Sequence, residues 1–170
     1  MSRMTEWIGR ILDASGWLAK ASALLLVILV TANVLARYLF STGNVGLQEL
    51  EWHLISPIAL LGMSYALHHG EHVRVDVFYE HMRPTVQAFV DMLTALLTLA
   101  IGVYLAWVAI PYVQASFSMG QGSPNPGGLP HRFLLKAFIP IGFGLLALQA
   151  LGALFEAVAT FRTARKGVHE

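Results

Sequence analysis

Cysteine is absent from the 170 residues, which removes disulfide exchange, thiolate catalysis, iron–sulfur ligation and every cysteine-containing zinc site at once. Charge is scarce as well. Asp, Glu, Lys and Arg make up 12% of the chain and nearly cancel, leaving a formal net charge of +1. The basic residues form no stripe interleaved with aromatics, so nothing calls for nucleic acid as a partner. What remains is oil: 56% of residues are apolar and the mean hydropathy is +0.61, too greasy for a water-soluble domain of this size. The lipid bilayer is the expected solvent, and an all-α membrane protein the expected fold class.

Four segments reach the about 20 mostly apolar residues that cross roughly 30 Å of hydrocarbon: 17–39, 46–67, 86–113 and 133–155. The first is free of charge from Ala21 to Ala36, with Lys20 and Arg37 placed to snorkel and Trp17 and Tyr38 suited to the interfaces. The second is the weakest. Its charge-free part, 54–67, is 14 residues long, so it crosses only with Glu49, Glu51 and His53 in its outer turns or against protein. Ahead of the first span, Met4, Trp7, Ile8, Ile11 and Leu12 share one helical face while Arg3, Glu6, Arg10 and Asp13 lie on others. The domain reading is therefore a short amphipathic interfacial helix over 1–16, a four-helix transmembrane domain over 17–161 and a tail over 162–170. The small-residue run Ala21-Ser22-Ala23 precedes the apolar stretch instead of following it, so a retained N-terminus is expected.

Orientation follows from the placement of Lys and Arg. Arg3, Arg10, Lys20, Arg74, Arg83, Arg162, Arg165 and Lys166 fall on one side of this map, and Arg37, Arg132 and Lys136 on the other. Eight against three puts both termini in the cytoplasm by the positive-inside rule. The "HHGEHVRVD" run from His68 to Asp76 then lies in the inner loop, and 114–132 in the outer one.

Read from His68, that run spells H-x-x-E-H, a pattern of zinc proteases. Such a site needs both histidines on a continuous helix, a third ligand, and a glutamate aimed at the metal-bound water. Gly70 interrupts the pair, and "HVRVDVF" alternates as a helix does not. A polar hairpin over Val73, Val75 and Val77 is the preferred reading, with no metal. Haem between facing histidines is also disfavoured, because only His53 lies inside a predicted span and His131 sits in the outer loop. No cofactor is expected.

Polar residues inside spans are functional by default. In "LQELEWH", Glu49 and His53 share a face that Ser56 extends, while Gln48 and Glu51 pair on another. At one end of the span they form no path across the bilayer, and contact with a neighbouring protein is the favoured role. Asp91 enters span three near the inner interface, either solvated or paired with Arg83 or Arg74. The outer loop "QASFSMGQGSPNPGGLPHR" holds four glycines and three prolines, which fits an ordered docking surface or a plain connector. Gly144 and Gly152 lie on one face of span four and admit a close neighbouring helix. With Glu49, Glu51, Trp52 and His53, they complete the candidate partner-binding residues.

The "QELEWH" entry to span two, "LLGMSYAL" within it, "GEHVRVDVFYEHMRP" leading to span three and "GLPHRFLLKAFIPIGFGLLALQALG" in span four occur in an order that resembles the small membrane subunit of TRAP transporters, the DctQ-like family. The resemblance covers about 7–161. It implies a bacterial inner-membrane scaffold subunit, not an enzyme, paired with a large multi-span permease that carries the substrate and sodium sites. A periplasmic binding protein would deliver an organic acid or similar solute. Because the sequence ends at "TFRTARKGVHE", the two membrane subunits are expected to be separate chains. The alternative from another class is a haem- or quinone-associated anchor subunit of a respiratory enzyme.

Overall fold

The computed structural model describes residues 3–71, 79 and 81–166. Four long helices account for most of them: α1 (Arg3–Phe40), α2 (Val45–His68), α3 (Pro84–Ser118) and α4 (Phe133–Lys166). Three of these, over Thr5–Phe40, Pro84–Ser118 and Phe133–Thr163, are long and apolar enough to cross a membrane. The second helix falls outside that set; its first three turns carry Glu49, Glu51 and His53.

The amphipathic segment is not the separate short helix expected over 1–16. It forms the first turns of α1, which runs unbroken for 38 residues, or about 57 Å at 1.5 Å per residue. Its apolar stripe divides. Ile8 and Leu12 are buried together with Ser15 and Ala19, whereas Trp7 and Ile11 stay exposed. A methyl group added at Gly152 of α4 would stand 3.6 Å from Ile8, so this end of α1 packs on the chain itself.

Helix ends obey local chemistry. Asn44 caps α2 by accepting the Leu47 N–H at 3.2 Å. The far end of α2 closes in a Schellman motif, with Glu71 N–H donating to Ala66 O at 2.9 Å, Gly70 N–H to Leu67 O at 3.3 Å, and Gly70 at φ 71°. Helix α3 repeats the device: Gln121 N–H donates to Ser116 O at 3.1 Å, Gly120 N–H to Phe117 O at 3.0 Å, and Gly120 sits at φ 57°. Because that stop comes at Gly120, α3 continues past the expected boundary at 113. The connection to α4 is shorter than the composition of 114–132 implied.

The helices pack in a row. α3 lies on α4, α4 on α2 and α2 on α1, with a slighter α1–α4 contact. The tightest pair, α3 with α4, has a simple cause in the sequence. Ala88, Ala95, Gly102, Ala109 and Ser116 are the buried residues of α3, and each follows the last by seven positions. A heptad repeat keeps one seam facing a partner helix, and small side chains on it let backbones approach. A methyl group on Gly102 would stand 3.0 Å from the Ala147 nitrogen, and Leu146, Ala147, Ala150 and Ala157 are the buried side chains of α4. Between α2 and α4 the close point is Gly142, where a methyl group would lie 2.6 Å from Leu60 Cβ. Ser64, fully buried, donates to Gly142 O at 3.4 Å.

The row leaves both broad faces of the molecule apolar and uncovered. Leu24, Leu25, Val27 and Ile28 of α1, Leu96, Leu97, Ile101 and Val103 of α3, and Leu134 and Ile141 of α4 are all exposed. Surfaces of that extent need lipid or protein against them.

Candidate functional site

The outer loop is built before it meets anything else. Pro126 and Gly127 occupy the centre of a type II turn, with Gly127 at φ 78° and Gly128 N–H donating to Asn125 O at 3.0 Å. On either side the strands of the loop pair, Ser123 N–H to Leu129 O at 3.0 Å and Arg132 N–H to Gln121 O at 2.9 Å. The result is a small hairpin-like cap whose tip lies over the first turns of α2.

Glu49 holds that tip. Its Oε2 accepts the Leu129 N–H at 2.7 Å. Its Oε1 accepts the Ser123 hydroxyl and the Asn125 side-chain amide, the latter at 3.1 Å. One carboxylate thereby meets three donors from a single loop, as an ionised acceptor-only group can. Gly128 permits it, because a methyl group there would collide with Ser123 and lie 2.7 Å from Glu49 Oε2.

Glu51 is also engaged within the chain. The buried Asn33 of α1 donates to its Oε1 at 2.9 Å, tying α1 to α2 at the same end. Both carboxylates thus find donors within the chain, one from an asparagine in the charge-free part of α1 and the other from a folded loop. Trp52, by contrast, is 71% exposed. His53 Nδ1 lies 2.7 Å from Glu49 O, a carbonyl that can only accept, so Nδ1 carries the proton. Its Nε2 is buried without a hydrogen-bond partner among the described residues. Trp52 and His53 line a cleft of about 350 Å³ with Val45, Gln48, Asn125 and Arg132. His131, the other histidine of this end, packs edge-on against Phe133.

The two glycines of span four separate. Gly152 is inside, against Ile8, while Gly144 has nothing within 4 Å of an added methyl group. Close approach of the chain's own helices is served also by Gly102 and Gly142. Only Gly144 of the expected pair faces open space.

At the opposite end, α2 stops at His68 and turns at Gly70, so the H-x-x-E-H run lies on no continuous helix; His72 is outside the described residues. The side chains here tie α1 to α2. Lys20 donates to the Tyr65 hydroxyl at 2.8 Å and lies 4.3 Å from its ring centroid, and His69 Nε2 is 3.5 Å from Asp13. A methyl group on Gly16 would overlap the Tyr65 ring. Lys20, expected to snorkel, has a partner instead. Asp91 accepts the Tyr79 hydroxyl at 2.6 Å, a partner that the search for a basic residue missed; Arg74 lies outside the described residues.

These observations define an all-helical membrane protein in which the folded loop between α3 and α4 is clasped to a helix end. The comparisons narrow the class. Residues 26–160 match the family described as the DctQ component of tripartite ATP-independent periplasmic transporters, and the chain belongs to that family. It is similar to the ectoine TRAP transporter small permease protein TeaB of Halomonas elongata, at 28% identity over 133 residues. That alignment covers 75% of this chain and 65% of the relative, so the chain spans just under two thirds of the relative's length. The family is a transporter component and not an enzyme.

Proposed function

We propose that the chain is the small scaffold subunit of a TRAP transporter, resident in the bacterial inner membrane with both termini in the cytoplasm. It pairs with a large permease subunit that performs sodium-coupled uptake, and a periplasmic binding protein supplies the solute. The family match over 26–160 carries this reading. The open row of helices supports it, because apolar faces left bare on α1, α3 and α4 offer a large subunit a broad surface. The solute class is a small organic acid or a comparable zwitterion, the latter by analogy with the ectoine of the named relative. Trp52 and His53 at the cleft beside Glu49, together with Gly144, are the contacts proposed for the partner complex, while Glu49 and Glu51 shape that surface from within.

Reconstitution tests it. Proteoliposomes with a sodium gradient, the binding protein and both membrane subunits should accumulate the solute. Those holding this chain without the large subunit should not. Uptake by the chain alone would overturn the scaffold role.

A further inference from the structure

Two of the three basic residues assigned to the outer side, Arg132 and Lys136, line one cleft of about 650 Å³. Its volume lies within the about 300–1,000 Å³ typical of small-molecule sites. The other walls are Ser56 of α2, Tyr112 of α3, and Gln121, Gly122 and Pro124 of the loop. No Asp or Glu lines it; Glu49 borders the adjoining cleft, which Arg132 also lines.

Both cations keep donors free for a ligand. Lys136 Nζ donates to Gln121 Oε1 at 2.7 Å and sits 4.0 Å from the Tyr112 ring centroid. Gln121 is itself fixed by the Ser116 hydroxyl at 2.9 Å. One N–H of the ammonium is used, and two remain. The half-buried Arg132 interacts with the Glu49 carboxylate through its charge, yet it makes no side-chain hydrogen bond among the described residues. Glu49, which borders the adjoining cleft, has its oxygens engaged by Ser123, Asn125 and Leu129. A guanidinium fork with unmet donors beside an ammonium is the arrangement that takes phosphate oxygens.

The apolar part of the cleft distinguishes among anions. Arg132, Leu135, Lys136 and Ile139 follow at i, i+3, i+4 and i+7, so one face of the start of α4 carries charge at its tip and aliphatic carbon below. That gradient matches an amphiphile entering where helix gives way to loop. We propose that this cleft binds the phosphate of an anionic phospholipid, with Arg132 and Lys136 on its oxygens and Leu135 and Ile139 along its first acyl carbons. The inference does not depend on which leaflet the loop faces.

The test uses the full chain purified in detergent and mixed with phosphatidylglycerol or phosphatidylcholine of identical acyl composition, with retained lipid counted by native mass spectrometry. Retention should favour phosphatidylglycerol by about twenty-five-fold, or about fivefold per basic residue at a membrane surface. The double change Arg132→Gln and Lys136→Gln should abolish that preference, while Arg37→Gln, the third basic residue of the same side, should preserve it. Should the double variant fail to fold, Arg132→Gln alone, whose side chain makes no hydrogen bond in the chain, should lower the preference about fivefold. Equal retention of both lipids would overturn the proposal, as would a preference that survives loss of the two basic residues. Displacement of the lipid by millimolar inorganic phosphate would reassign the cleft to a free anion. Loss of binding-protein or large-subunit capture in the double variant, with lipid preference unchanged, would reassign it to an acidic protein segment.

Discussion

The Leu129 backbone N–H donates to Glu49 Oε2 at 2.7 Å, joining residues 80 positions apart. Through this bond and those from Ser123 and Asn125, the second turn of α2 sets the shape of the loop between α3 and α4. Loop order thus depends on a carboxylate in another helix, and the loop in turn completes the cleft beside Trp52 and His53.

Removing the carboxylate should free the loop without unfolding the helices. Glu49→Gln keeps a single acceptor oxygen in place of two, so it cannot serve Leu129, Ser123 and Asn125 together. Deuterium uptake across 121–132 should rise in Glu49→Gln and rise further in Glu49→Ala, while uptake in the middle of α3 and α4 stays unchanged. If the loop docks the binding protein, binding-protein-dependent transport should fall in the same order. Unaltered exchange in both variants would show that the clasp contributes nothing to loop order.

Asn33 and Glu51 form a second cross-helix tie, and their coupling is measurable. Interhelical hydrogen bonds in membrane proteins average about 0.6 kcal/mol and reach about 1.7 kcal/mol. A double-mutant cycle with Asn33→Ala and Glu51→Ala, read by reversible unfolding in detergent, should return a coupling in that range. Both single variants should also loosen α1 from α2. A cycle closing at zero would mean the two side chains act independently.

The element types were legible in hydropathy, because the apolar segments are long and the bilayer admits few alternatives. The weakness of the second helix was equally plain from its 14 charge-free residues. Helix ends were harder. Composition placed the start of the outer loop at Gln114, but polarity in Gln114, Ser116 and Ser118 does not stop a helix, and Gly120 does. The partners of Glu49 and Glu51 were hidden for a different reason. Their hydrogen-bond donors are neutral groups of Ser123, Asn125, Leu129 and Asn33, which carry no charge pattern to mark them. Asn33 gave a signal nonetheless, as the lone amide within the charge-free run 21–36. So did the seven-residue spacing from Ala88 to Ser116, which marks the α3 seam. The spacing of Gly144 and Gly152 pointed to a shared face, yet only contact geometry separates the packed glycine from the open one.

Glycine substitutions should sort by that geometry. Alanine at Gly102 puts a methyl group 3.0 Å from the Ala147 backbone, and at Gly142 it meets Leu60 at 2.6 Å. Overpacking of this kind costs about 1–3 kcal/mol, so both variants should melt earlier in detergent. Gly144→Ala meets nothing within 4 Å and gains up to about 1 kcal/mol of helix propensity, so the isolated chain should be unchanged or firmer. A larger Gly144→Leu change should leave the isolated chain folded and weaken co-purification with the large subunit. Retained co-purification would remove Gly144 from the proposed interface.

Membrane topology is the last point, and the second helix decides it. α1, α3 and α4 each have the length and apolarity to cross, and three crossings alone would put the two termini on opposite sides. With α2 crossing as well, they lie on the same side. The structure supplies a reason why α2 can cross despite its polar start: Glu49 and Glu51 are hydrogen-bonded within the chain, which lowers the penalty of bringing polar groups to the membrane boundary. The basic residues then divide eight to three, with the larger share beside both termini and between α2 and α3, as the positive-inside rule requires for a cytoplasmic assignment. Reporter fusions at Gly43, Arg74, Gly122 and the C-terminus should read periplasm, cytoplasm, periplasm, cytoplasm. A periplasmic signal at Arg74 would place α2 outside the bilayer core and leave three crossings.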